Sequence, residues 1–479
     1  MVWKHLADDA CWVAKDIVYC ARPQAPHLQR MHIYVPEAFL DGEGRTNEEA
    51  RLVTKYGVEY SAHDVPVVFY NDIGGYAECA PAELTKRNRR FLQDGYVLVS
   101  VGARGRQTRA EDGAACGKAP AGLVDLKAAL RWLRAHAEEL PAGDLGKIVS
   151  VGTSAGGAMS SLLAATGNSP LYDAYLEEIG AELDQSDEVF ASQCYCPIVD
   201  LEHADMAYEW MYGSKRICTF GPQMPPRVLS GDELALSEVL ASAYPAYVNG
   251  LGLDVGLGED GRSGSYYDAL MAHVTDSLEV FLEQSACDGE GRRALIAELD
   301  PSGSFIRDDG ETARIDDLDA YVRSFIGRMK GCPSFDALAT KCPENHVFGN
   351  PGALEGAPED YAAFSRQTAE ARQRISGQSD ADAVDVTDLA DETRVRLLNP
   401  MTFLDRTGGA WSEADKARHV RVCVGSADAH HSFSASFNLY LAFKAWGVDA
   451  DYRIVWGRGH CDADRPGQFS SWVDSIAQK

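Results

Sequence analysis

The chain has 479 residues, 45% of them hydrophobic, enough for a sizeable core and, by length alone, about two or three domains. Its formal net charge of -27 excludes nucleic acid and anionic membrane surfaces as partners, since both would repel it, and argues against a polyanionic substrate. The twelve cysteines include no CxxC pair. Cys194 and Cys196, the closest two, would project to one side of a strand, into packing rather than onto a metal. The first residues lack a charged segment followed by an apolar one, and no run approaches a membrane span. The expected setting is cytoplasmic, with free thiols and no membrane partner.

Strand-like runs begin with Arg30 to Val35 and Val65 to Tyr70. Tyr96 to Val101 follows an amphipathic helix ending at Asp94-Gly95. Leu126, Leu130 and Leu133 give helical spacing over Leu123 to Leu140, ahead of a β-branched run, Ile148 to Val151. Phe190 to Ile198 supplies another strand. Strands alternating with helices predict a mostly parallel sheet covered on both faces. After about Asp205 the alternation stops. Residues 206–395 hold Gly-rich and acidic stretches such as Gly250 to Ser265 and helical pieces such as Tyr267 to Gln284. It resumes with Val420 to Val424, a helix over Ser434 to Trp446, and Tyr452 to Val455. The pattern predicts one α/β domain, residues 1–205 and 396–479, interrupted by an inserted lid or recognition domain, residues 206–395.

The most informative stretch is Gly152-Thr153-Ser154-Ala155-Gly156, which follows Ile148 to Val151 and precedes an apolar helix with Met159, Leu162 and Leu163. This is the pattern of a nucleophile elbow, a tight strand-to-helix turn that presents a serine at the top of an α/β-hydrolase sheet. Gly152 and Gly156 belong where a Cβ would collide with the neighbouring strand and helix. A serine hydroxyl is a poor nucleophile unless a base takes its proton and a carboxylate orients that base. In this fold the acid and the histidine follow on loops after late strands. The strand Val420 to Val424 leads to Asp428, and the next strand leads to Gly457-Arg458-Gly459-His460. Asp428 and His460 are therefore the expected acid and base. Asp200, closing the Phe190 to Ile198 strand, and Asp462 are the rival acids. The oxyanion donors are expected to be the N–H groups of Ala155 and of Gly75, in the glycine turn after Val65 to Tyr70. No ligand-spaced cluster calls for a metal, and no organic cofactor is expected.

Beyond these motifs, NDIGGY (71–76), GARGR (102–106), KAPAGLVDLKAALR (118–131), GTSAGGA (152–158) with ATGNS (165–169), YCPIVDLEHADMAYEW (195–210), and RMKGCPSFDAL (328–338) followed by PENHVFG (343–349) resemble the bacterial tannases. These are tannin acyl hydrolases of α/β-hydrolase fold with a large inserted lid. The resemblance runs over most of the chain and includes the insertion. It implies that Ser154, Asp428 and His460 do the acyl chemistry. It also implies that a lid lysine and glutamate, here Lys330 and Glu344, hold the phenolic hydroxyls of a galloyl ring by charge-assisted hydrogen bonds. Ile198 and Pro343 would stack against the ring. The family's third ring contact is an acid two residues after the triad aspartate, and here that position is His430.

The expected function is hydrolysis of phenolic-acid esters, galloyl esters first, through an acyl-enzyme, with a small phenolic ester as the partner molecule. Feruloyl or other hydroxycinnamoyl esters, or general carboxylic esters, are the alternatives that His430 leaves open. A non-catalytic binding protein on a hydrolase scaffold is the alternative of another class; the complete triad argues against it.

Overall fold

The computed structural model describes residues 1–219, 225–286, 288–376 and 384–478. A nine-stranded sheet forms its centre. In chain order its strands are β1 (Lys4–Leu6), β2 (Cys11–Val18), β3 (Arg30–Pro36), β4 (Pro66–Asn71), β5 (Val97–Val101), β6 (Asp144–Thr153), β7 (Ala191–Tyr195), β8 (His419–Gly425) and β9 (Asp449–Val455). Across the sheet they lie in the order β1-β2-β3-β5-β4-β6-β7-β8-β9. The β1/β2, β2/β3 and β3/β5 contacts are antiparallel, and every pair from β5 to β9 is parallel. This is an α/β-hydrolase fold.

The strands read as they do because of burial. Every residue of β4, β5 and β7 is buried; β4 and β5 are accordingly nearly continuous apolar runs, whereas β7 also buries Ser192 and Gln193, which donate to the Ser160 and Arg421 carbonyls. Helices Ala121–Ala135 and Ala155–Ala165 cover the sheet. All eleven residues of the second are buried. Its Ala, Gly and Ser side chains let it lie close between β6, β7 and the outer helices.

Strand order reverses at β4: the chain passes outward to β5 and then returns to β6 on the other side. Such a switch point opens a crevice at the carboxyl ends of the two central strands. The loop after β4 carries Gly75 and the turn after β6 carries Ser154. The topology therefore brings the Gly75 loop and Ser154 together.

Several elements depart from the sequence reading, among them β1, which it did not include, and the Phe190 to Ile198 strand, which is only Ala191–Tyr195. Strand β2 was hidden by Lys15 and Asp16 and by a register shift between Ala14 and Ile17, which break any simple alternation. The helix before Gly95 is only Arg89–Gln93, and the expected Leu123 to Leu140 helix ends at Ala135, followed by a 3-10 turn, Ala137–Glu139.

After β7 the helix Leu201–Tyr212 carries the chain across residue 205 and packs against the long helix Gly231–Gly250. Helices Ser265–Ser285, Gly289–Leu299, Leu318–Ser324, Pro343–Val347 and Arg366–Ser376 follow. None of the short strands in this stretch joins the central sheet. Among the described residues no helix is long and apolar enough to cross a membrane, and none of the described cysteines is in a disulfide.

Candidate active site

Ser154 sits at the elbow with φ 61° and ψ −123°, a conformation that only tight surroundings maintain. Those surroundings are explicit. A Cβ on Gly152 would lie 2.2 Å from the Gly156 carbonyl oxygen, and one on Gly156 would lie 2.6 Å from Asn71 Oδ1. Asn71, at the end of β4, donates to the carbonyls of Val151 and Gly156 and to Ser160 Oγ, tying the turn to the neighbouring strand. Ser154 N–H donates to the Tyr195 carbonyl at 2.9 Å.

His460 Nε2 is 2.8 Å from Ser154 Oγ, and His460 Nδ1 is 2.8 Å from Asp428 Oδ2. The three side chains, 306 and 32 positions apart in sequence, form one hydrogen-bonded line. Asp428 is 3% exposed; its second carboxylate oxygen accepts the His430 N–H at 2.9 Å. Burial is the largest single influence and works against the Asp428 charge, but the hydrogen bond and charge of His460 and the His430 N–H together outweigh it and hold the carboxyl below its usual range. Burial likewise disfavours a charged His460. The hydrogen bond to Asp428, the adjacent Cys461 and the carboxylate charge win, raising the imidazole to about 9.

The acid loop is clamped from the far side by tyrosines. Tyr321 donates to the Ser426 carbonyl, Tyr208 to that of Ala429, and Tyr212 to that of Asp428 itself. The histidine loop is stitched to it by Ala427 N–H on the Arg458 carbonyl at 2.8 Å.

The rival acids go elsewhere. Asp200 is buried with φ 55° and accepts from His203 Nδ1 at 2.8 Å, from Asn399 at 3.0 Å and from Tyr247. Asp462 pairs with Arg458 at 3.0 Å.

A cavity of about 1080 Å3 opens over the serine. Its lining includes Ser154, His460, Gly75, Ala155, Ile198, Lys330, Pro343, Glu344 and His430, with Asp428 behind the histidine. Ala155 opens its helix, so its N–H is one of the first-turn donors without an intrahelical acceptor. Gly75 and Tyr76 both have positive φ, 53° and 57°. The Tyr76 hydroxyl, donating to the Ile198 carbonyl at 2.7 Å, anchors that turn.

Lys330 and Glu344 face the cavity from the long segment between β7 and β8. Lys330 is held through its backbone: its N–H donates to the Tyr208 hydroxyl, and its carbonyl accepts from Arg328 Nε at 2.9 Å. Arg328 is itself locked by a fully buried pair with Glu209. The Lys330 ammonium lies 3.3 Å from the centroid of the Phe335 ring, and no carboxylate among the described residues is within ion-pair range. Burial pushes Lys330 below and Glu344 above their ordinary values; each opposes that shift in the other. An unpaired cation and carboxylate lining one cavity suit a ligand with adjacent hydroxyls. The His430 ring stacks on His460, centroids 4.5 Å apart, and burial with the His460 charge pushes it down to about 4, leaving it neutral.

Cys196 is buried, as expected, but it also stands beside the Asp428–His460 pair, which the sequence did not reveal. Strand β7 ends at Tyr195 and Cys196 has φ 42°, so the alternation argument does not reach it. Its thiol lies within 4.8 Å of ligand atoms of Asp428 and His460, a grouping that could hold a metal ion. The direct Asp428–His460 bond occupies the atoms a metal would use, and burial with the Asp428 charge keeps the thiol protonated.

Comparison with known proteins places this geometry. A family model described as BD-FAE matches residues 58–211, which span the Gly75 turn, the elbow and β7. Esterase LipI of Mycobacterium tuberculosis is 29% identical over 174 residues, 36% of this chain and half the length of that esterase. The native structure of tannin acyl hydrolase from Lactobacillus plantarum superposes with a TM-score of 0.82 at 30% identity, covering 100% of this chain and 97% of that one. A tannin acyl hydrolase solved in complex with ethyl gallate matches with a TM-score of 0.81 at 30% identity, again over 100% and 97% of the two chains. Similarity of this extent, including the long segment between β7 and β8, means that the chain belongs to the tannase (tannin acyl hydrolase) family of α/β-hydrolase carboxylic ester hydrolases.

Proposed function

We propose that the protein is a serine esterase that hydrolyses esters of phenolic acids, galloyl esters foremost. The observation that carries the reading is the Ser154–His460–Asp428 line opening into a cavity that also presents Lys330 and Glu344. His460 Nε2 takes the Ser154 proton as the hydroxyl attacks the ester carbonyl, and then passes it to the departing alcohol. Asp428 keeps the other ring proton on Nδ1. The N–H groups of Gly75 and Ala155 receive the oxyanion. Water repeats the sequence and releases the acid. Lys330 and Glu344 bind neighbouring phenols, and Ile198 and Pro343 pack on the ring. Residues 206–395, which bring Lys330 and Glu344 to the cavity, act as the recognition insertion. The ethyl gallate bound by the structural relative supports a galloyl group as substrate.

The test is hydrolysis of methyl gallate, methyl ferulate and a short acetate ester side by side. Preference for methyl gallate is expected. The neutral His430, standing where an acid would favour a third phenol, makes methyl ferulate the specific rival. A preference for acetate would overturn the phenolic reading.

A further inference from the structure

We propose that Arg106 is a positioning residue that joins the helix carrying Glu344 to the oxyanion loop; the inference rests on the reading of the Gly75 turn as an oxyanion donor. Arg106 does not line the cavity, so it acts through its neighbours.

Two contacts fasten it to the turn and a third ties it to Lys118. Its Nε donates to the Gly75 carbonyl at 2.9 Å, its backbone N–H donates to the Tyr76 carbonyl at 2.8 Å, and its own carbonyl accepts from Lys118 Nζ at 3.2 Å. Gly75 and Tyr76 are consecutive left-handed residues, and nothing lies within 4 Å of the place a Gly75 Cβ would occupy. Local backbone preference does not hold such a turn, at least at the tyrosine; contacts must. The Gly75 carbonyl and the Tyr76 N–H belong to one trans peptide and point in opposite directions. Holding the carbonyl on the Arg106 side therefore fixes the orientation of that peptide and leaves only the φ and ψ of Gly75 between it and the Gly75 N–H.

The other end of the guanidinium reaches the Glu344 helix. Arg106 Nη1 lies 3.1 Å from Nδ1 of His346, which follows Glu344 by two residues in the helix Pro343–Val347. Arginine can only donate, so Nδ1 is the acceptor and the ring's single proton is on Nε2, 3.2 Å from Asp360 Oδ2. Burial, with the positive charges of Lys118 and Arg106, keeps His346 neutral, its pKa pushed down to about 4. Asp360 is pinned in turn by Lys118 at 2.7 Å and by Arg109, and Lys118 also donates to the His346 carbonyl at 2.8 Å. A rigid line thus runs from Asp360 through His346 and Arg106 to the Gly75 carbonyl. Correct seating of the Glu344 helix is transmitted to the loop that meets the transition state, so a loss here appears in kcat.

The experiment compares Arg106→Ala and Arg106→Lys with wild type. Expected for Arg106→Ala is a fall in kcat for methyl gallate of about 10- to 100-fold, part of what loss of an oxyanion donor costs, with KM within about threefold. The rate of labelling by a fluorophosphonate should fall by a similar factor, and free guanidinium ion, but not urea, should restore part of it. Arg106→Lys keeps the charge but not the fork that spans Gly75 and His346, so it loses activity in the same sense and serves if the alanine variant does not fold. A kcat within twofold of wild type in both variants, or a loss confined to KM, overturns the role of Arg106. Failure of wild type to be labelled at Ser154 overturns the serine-esterase reading itself, and this inference with it; full wild-type labelling beside unimpaired variants overturns only the inference.

Discussion

Replacing Lys330 by methionine tests whether this protein recognises phenols through a buried charge. The ammonium rests on the Phe335 ring, 3.3 Å from its centroid, with no described carboxylate in ion-pair range, and burial lowers its pKa. A lysine whose folded pKa is below its unfolded value costs stability at neutral pH, and that cost fades as pH rises toward the unfolded pKa. Lys330→Met removes the charge while keeping most of the side-chain length. The melting temperature should therefore hold or rise. The hydrogen bond from the ammonium to a substrate hydroxyl is charge-assisted and worth about 1.5–3 kcal/mol. At about 1.4 kcal/mol per decade, kcat/KM for methyl gallate should drop about 10- to 100-fold. Methyl benzoate, which has no phenol, should change by less than about threefold. Steady-state kinetics on both esters and scanning calorimetry decide it. Equal losses on the two esters, or a lowered melting temperature accompanying both, would show that Lys330 supports the fold rather than binding phenols.

Three further outcomes are expected. Because the Asp428 carboxylate helps hold His460 above an ordinary imidazole, and the base must be unprotonated, the acidic limb of kcat/KM should lie above pH 6.5. Asp428→Asn should cut kcat by about three to four orders of magnitude and move that limb to lower pH, measurable from pH–rate profiles. His430→Asp should raise the methyl gallate to methyl ferulate ratio of kcat/KM by about three- to tenfold through an added charge-assisted phenol contact. It should also shift the acidic limb upward, since a second carboxylate then lies against His460. Gly152→Ala should lose soluble yield and fluorophosphonate labelling together, because its Cβ would stand 2.2 Å from a backbone oxygen that cannot move without opening the elbow.

The parts of the site legible in the sequence are those with a local cause. Ser154, Asp428 and His460 each stand just past a β-branched run, and the order of those strands follows from strand-helix alternation. Strands β3 to β9 were legible in the sequence, whereas β2 carries Lys15 and Asp16 in its middle and a register shift beside them. Lys330 and Glu344 have no local signature. Their placement comes from Tyr208, the buried Arg328–Glu209 pair, and the carboxylate of Asp336 on the Asn345 amide. Only resemblance to a family pointed to them. Arg106 and His346 meet across 240 positions, a contact that neither periodicity nor spacing encodes.

The most direct test of the account is rapid-quench mass spectrometry of the protein during turnover of a galloyl ester, followed by peptide mapping. A galloyl group is expected on the hydroxyl of Ser154, formed and lost at rates compatible with kcat. Acylation at another residue, or a Ser154→Ala variant that still turns over the ester at the wild-type rate, would contradict it.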